Sequence, residues 1–175
     1  MANNCSTSCA LTAGWMYAGC SKGTGGISKV YISTGYTAYD IGSDCTLTGL
    51  TGGTWFTFDQ IQETSSQTEK SVSSIGNQSL YFEGEIEIIL PTKNNWTTIR
   101  NQFNTLARSG CVIITLNNNG DYKIHGLTNK CELSEGSISD GKLMGDSQSC
   151  VMKFQYKEPN PSYKLTSGSV FSSTY

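Results

Sequence analysis

Between Leu80 and Leu116 the spacing of apolar residues changes twice, and few folds accommodate both changes. Leu80-Tyr81-Phe82-Glu83-Gly84-Glu85-Ile86-Glu87-Ile88 alternates with period two, which puts Phe82, Ile86 and Ile88 on one face and Glu83, Glu85 and Glu87 on the other. That is the pattern of a half-buried strand. Leu90-Pro91-Thr92 ends it. From Lys93 to Arg108 the apolar residues Trp96, Ile99, Phe103 and Leu106 recur at steps of three and four, so the segment is an amphipathic helix with these four on its core face. Gly110 is the expected C-terminal stop. Cys111 to Leu116 follows as a nearly unbroken, β-branched apolar run, suited to a strand covered on both faces. One helix therefore lies over a sheet.

The rest of the chain supplies strands. Nineteen glycines, three prolines and abundant Ser, Thr and Asn indicate frequent turns and short strands. The expected class is mainly β, an antiparallel β-sandwich or barrel with one flanking helix at about residues 93–108. A length of 175 residues fits one domain that needs no metal or disulfide to fold. Residues 1–26 are small, polar and Gly-rich, with Trp15, Met16 and Tyr17 as their one run of large apolar groups, and are expected to form an N-terminal arm. The sandwich is expected over 27–158. Strands are predicted at Ile27–Ser33, around Tyr36, Tyr39 and Ile41, at Thr54–Ile61, at Tyr122–His125 and in the alternating Cys150–Lys157 segment. Asn119-Gly120 supplies the positive φ of a tight hairpin turn. Gln62 to Ser79 is polar, with Val72 and Ile75 its only anchors, and is predicted to be a long binding loop or a disordered one. The Gly- and Ser-rich stretch around Glu135-Gly136 and Asp140-Gly141 is predicted to be a connection, and 159–175 a C-terminal arm.

Composition and motifs exclude more functions than they suggest. Twelve basic and fourteen acidic residues give a net charge of -2 without a basic patch, which argues against nucleic-acid readout. The N-terminus does not resemble a signal peptide and no run reaches transmembrane length, so the protein is expected in the cytosol and away from membranes. Seven cysteines are an odd set, expected to be mostly free thiols, and Cys5-x3-Cys9-x10-Cys20 lacks the CxxC pair of a zinc site. His125 is the only histidine, so a Cys–His or Ser–His nucleophile would have to use it. Cys111 is its candidate neighbour across the hairpin, but a solvated strand histidine is the plainer expectation. No nucleotide-binding or hydrolase motif is present, and neither an enzymatic activity nor a cofactor is expected. Glu83, Glu85 and Glu87 sit about 7 Å apart along one strand face. They either pair with the Lys153 and Lys157 face of the last strand or line a solvent surface kept negative.

Gly25-Gly26-Ile27 leading into Val30-Tyr31-Ile32, Leu50-Thr51-Gly52-Gly53-Thr54-Trp55 before the polar stretch, and Asn119-Gly120-Asp121-Tyr122, Gly126, Ser137, Gly141 and Gly145-Asp146 before a strand ending in Glu158-Pro159 occur in an order that resembles phage tail tube proteins, in particular those of phages of Bacteroidetes-type hosts. The likeness covers most of the chain. It implies a β-sandwich with a flanking helix, in hexameric rings that stack into a conduit for DNA, assembled in the host cytoplasm and located in the virion tail. The implied partners are further copies of the chain, the tail terminator, the baseplate or tip and a sheath, with DNA passing through without sequence-specific binding. Gln62, Glu63, Gln67, Glu69, Lys70, Val72 and Ile75 would then reach a neighbouring ring, and Glu83, Glu85 and Glu87 would face the lumen. A head–tail terminator or capsid decoration protein is the nearest alternative. A glycan-binding β-sandwich, with Trp15, Trp55 or Tyr36 as exposed platforms, is the alternative from another class.

Overall fold

The computed structural model describes residues 25–61, 64–74, 76, 79–92, 96–141, 148–168, 171 and 173–174. Along the chain it forms β1 (Ile27–Ser33), β2 (Ala38–Ile41), β3 (Thr46–Thr51), β4 (Trp55–Asp59), β5 (Ser66–Ser74), β6 (Ser79–Pro91), α1 (Trp96–Ser109), β7 (Val112–Asn117), β8 (Tyr122–His125), β9 (Glu132–Ser139), β10 (Ser149–Glu158), β11 (Tyr163–Leu165) and β12 (Ser173–Thr174). The strands make an eight-stranded sheet in the order β12-β4-β1-β7-β8-β11-β3-β2 and a four-stranded sheet in the order β5-β6-β10-β9. The fold is mainly β, a sandwich with one flanking helix.

Alternation along the central strands divides the apolar residues between two cores. Val30 and Ile32 of β1 and Ile113 of β7 face the smaller sheet, where Ile86, Ile88 and Leu90 of β6 and Cys150, Met152, Phe154 and Tyr156 of β10 meet them. Val112 and Ile114 point the other way, into a second core with Tyr31, Leu47, Trp55, Ile124 and Leu165. β7 is thus covered on both faces, as its unbroken apolar run requires. The second core is covered in part by Phe171, whose ring lies 4.9 Å from that of Tyr31 and 5.5 Å from that of Trp55.

The helix packs along the margin of the first core. Leu106 is buried, and Ile99 and Phe103 are partly buried against the same cluster. Phe103 occupies the space beside Gly136, where an added Cβ would collide with its ring. The side chain of Trp96, the fourth residue of the predicted stripe, lies outside the described residues. Gly110 ends the helix with φ +61, and Gly120 turns the β7–β8 hairpin with φ +87, both in the left-handed region that a Cβ disfavours.

Four expectations are corrected. The segment predicted as a long loop contains β5, which pairs with β6 from Ser66↔Glu87 to Ser74↔Ser79. Its polarity suits an edge strand at the rim of the sheet, where one face is wet and the other can hydrogen-bond. β3 forms where no strand was predicted, and β9 occupies the stretch predicted as a connection. Finally, the C-terminal segment is not a free arm: β11 is inserted between β8 and β3, β12 pairs with β4, and Leu165 is buried. The N-terminal arm lies outside the described residues up to residue 24.

Candidate functional site

The outward face of the four-stranded sheet carries most of the organised charge. β6 and β10 run antiparallel with Glu83 opposite Lys157, Glu85 opposite Gln155 and Glu87 opposite Lys153, while β5 sets Lys70 opposite Glu83. Glu83 binds Lys157 at 2.9 Å and Lys70 at 3.3 Å, and the hydrogen bond from Lys157, then that from Lys70, holds its carboxyl below the ordinary value. Gln155 donates to Glu85 at 3.3 Å. Lys153 bridges to Glu135 of β9 at 3.4 Å, and that contact, followed by the field of Glu87, raises its own proton affinity. The two readings of the glutamates therefore merge: Glu83 pairs with Lys157 as one reading expected, yet the face stays open to water. With Glu132, opposite Gln155 on β9, five carboxylates stand against three ammonium groups, so this surface is largely charge-paired with an acidic excess. It is not the bare negative strip that alternation alone suggested.

The same sheet has the longer edges. Among the described residues β5 pairs only with β6 and β9 only with β10, which leaves a nine-residue and an eight-residue strand each with one side unpaired by them. The larger sheet ends in strands of two and four residues. Beyond Phe82, which faces Glu158 at the end of β10, β6 has only β5 beside it. On this two-stranded overhang Leu80 is 58% exposed.

Of the residues expected to reach a neighbouring subunit, Glu69 instead turns inward. Its carboxylate accepts from Ser162 N at 3.0 Å, Ser162 Oγ at 2.5 Å and Tyr156 OH at 3.1 Å. Ser162 Oγ and Tyr156 OH also lie 2.8 and 3.0 Å from His125 Nδ1, and Thr115 Oγ1 lies 2.9 Å from Nε2. With both hydroxyls donating to Glu69, the proton facing them sits on Nδ1, and Nε2 accepts from Thr115. Lys70 and Val72 lie on the outward face of β5, and Gln67 shares the inward side with Glu69. Gln62, Glu63 and Ile75 lie outside the described residues.

His125 is buried, not solvated as expected, and burial drives its proton affinity down to about 3. It faces Ile113 across the hairpin, while Cys111 faces Cys131, so the contemplated Cys–His pair does not form. Among the described residues no group of three His, Cys, Asp or Glu side chains could hold a metal ion, and no helix is long and apolar enough to cross a membrane. Cys5, Cys9, Cys20 and Trp15 lie outside the described residues. Trp55 is 1% exposed and the Tyr36 hydroxyl donates to Leu127 O, so Trp55 cannot serve as an exposed glycan platform. Among the described cysteines, Cys111, Cys131 and Cys150 are free thiols and Cys45 is disulfide-bonded.

Sequence reasoning missed Tyr156, Ser162 and Glu158 as polar anchors. Glu158 is buried and accepts from the backbone N–H of Thr128 at 2.8 Å and of Asn129 at 2.9 Å, fastening the turn after β8 to the end of β10. A carboxylate at an inward position of an alternating strand was the available signal. Comparison with family models, curated proteins and solved structures finds no match to this chain.

Proposed function

We propose that this chain is a virion structural protein, a tail tube subunit that assembles with copies of itself into stacked hexameric rings. The observation that carries the reading is the pair of long edges on the four-stranded sheet that no described strand covers. Successive antiparallel pairings run β5, β6, β10 and β9 in alternating directions, so β9 of one copy and β5 of the next would meet antiparallel and extend the ladder. Such a head-to-tail contact closes into a ring when its rotation permits. The helix and the larger sheet would then lie outside, and the face bearing Glu83, Glu85 and Glu87 inside. Largely charge-paired with an acidic excess, that lining would offer DNA phosphates no cationic track on which to stick. The order of motifs resembling tail tube proteins supports the same reading, and implies the ring number and the terminator, tip and sheath partners.

The test is electron microscopy of the purified protein combined with hydrogen exchange. Tubes or rings are expected, and in them the amides of Ser66–Ser74 and Glu132–Ser139 should gain protection together relative to the free subunit. Monomers at every concentration, or assemblies in which both edges exchange as fast as in the subunit, would remove the basis of the proposal.

A further inference from the structure

We propose that Cys111 and Cys131 are a latent disulfide which, on oxidation, locks the seam where the two sheets meet. Cys111 immediately precedes β7 of the larger sheet and Cys131 immediately precedes β9 of the smaller one. An isolated antiparallel bridge joins them: Cys111 N donates to Cys131 O at 2.9 Å and Cys131 N to Cys111 O at 2.7 Å. A pair that exchanges both backbone bonds holds its Cα atoms about 5.5 Å apart, within the span a disulfide bridges. Directly opposed side chains also share a face, and both thiols lie in the first core.

The surroundings favour this pair over other partners. A Cβ at Gly126, where φ is +73, would lie 2.6 Å from Cys131 Sγ, so the glycine leaves the sulfur its room. Cys150 faces Leu90 and Ile138 across its two strand pairs and has no cysteine opposite. Both thiols of the pair are fully buried, and burial pushes the Cys111 thiol up to about 12, so reagents meet it when the seam opens and the bond then holds the seam shut. Cys45 is disulfide-bonded in the same chain, so free and oxidised sulfur coexist in one molecule. With a peroxide as oxidant, two S–H bonds and the O–O bond break, one S–S bond forms, and the two electrons and both thiol protons leave with the oxygens as two waters.

The experiment uses the full chain, incubated with hydrogen peroxide, alkylated under denaturing conditions and digested without reductant. The expected result is a single new linked pair of peptides carrying Cys111 and Cys131, the loss of two alkylatable thiols, and a melting temperature higher by on the order of 5–10 °C that dithiothreitol reverses. A Cys131→Ala variant should show neither the linkage nor the rise. Should that variant fail to fold, the peptide map of the parent chain decides alone. Linkage to Cys150, Cys111 and Cys131 both still alkylatable after oxidation, or a linked protein that melts no higher than the reduced one would each overturn the proposal.

Discussion

Gly84→Ala tests how the polar cluster is held. Tyr156 stands directly opposite Gly84 in the β6–β10 register, and a Cβ on residue 84 would fall within reach of its ring carbons and hydroxyl. The ring cannot swing away freely, because its hydroxyl lies 3.0 Å from His125 Nδ1, 3.1 Å from Ser162 Oγ and 3.1 Å from Glu69 Oε2. Overpacking of this kind costs about 1–3 kcal/mol, and prising a buried hydroxyl from its partners adds about 1 kcal/mol. Against that, alanine is favoured over glycine in a strand by roughly 0.5–1 kcal/mol. The net expectation is a loss of about 2 kcal/mol in urea denaturation. In a Tyr156→Ala background the added methyl has room, and the same substitution should become neutral or slightly stabilising. The coupling energy from the double-mutant cycle should therefore approach 2 kcal/mol. Equal costs in the two backgrounds, to within about 0.5 kcal/mol, would show that the ring does not depend on the missing side chain.

Two further expectations concern stability. His125 ionises near 6.5 when unfolded and near 3 in the fold, so over that interval the unfolded chain holds the extra proton. Its contribution is complete above pH 6.5 and is lost as pH falls towards 3, with a slope of up to about 1.4 kcal/mol per unit. Lys123, Glu69 and Tyr156 are the titratable groups nearby. Denaturation at pH 7, 6 and 5 should show a shallower decline for His125→Gln than for the parent, and identical slopes would refute the assignment. Phe103→Ala should cost about 2 kcal/mol, less than the 3 to 5 kcal/mol of a wholly buried aromatic, because its ring is only partly covered. A change within error in the denaturation midpoint would mean that the helix is not held through Gly136.

What could be read from the sequence follows how much of each element faces the core. β6, β10 and α1 each bury a continuous apolar face, so their periods of two and 3.6 are plain in the chain, and β7, covered on both faces, shows as an unbroken apolar run. β5 and β9 are edges, where side chains answer to water and to hydrogen-bond partners, and their composition imitates that of loops. In β3 the buried residues Leu47 and Leu50 are three apart, with Gly49 between them, which breaks the alternation. The candidate face was half legible: three glutamates on one side of β6 were evident, whereas their pairing with Lys70 and Lys157 depended on strand neighbours. His125 was misjudged because its ring partners Tyr156 and Ser162 lie 31 and 37 residues further along the chain. Nothing adjacent to the histidine announces them.

The placement of β11 sets an order on the making of the protein. Among the described residues the pair β2–β3 joins the larger sheet only through this strand, which pairs with β3 on one side and β8 on the other, and the bond from Thr166 just beyond it to Leu47 spans 119 residues. A ribosome adding about 5–20 residues per second needs on the order of ten seconds to travel from one to the other. Through that interval β2 and β3 form a two-stranded ribbon, too small to be stable alone, with its later docking edge bare. The larger sheet is thus completed only once Tyr163–Leu165 has been made, and a chain truncated before Tyr163 would leave its early strands without the strand that docks them.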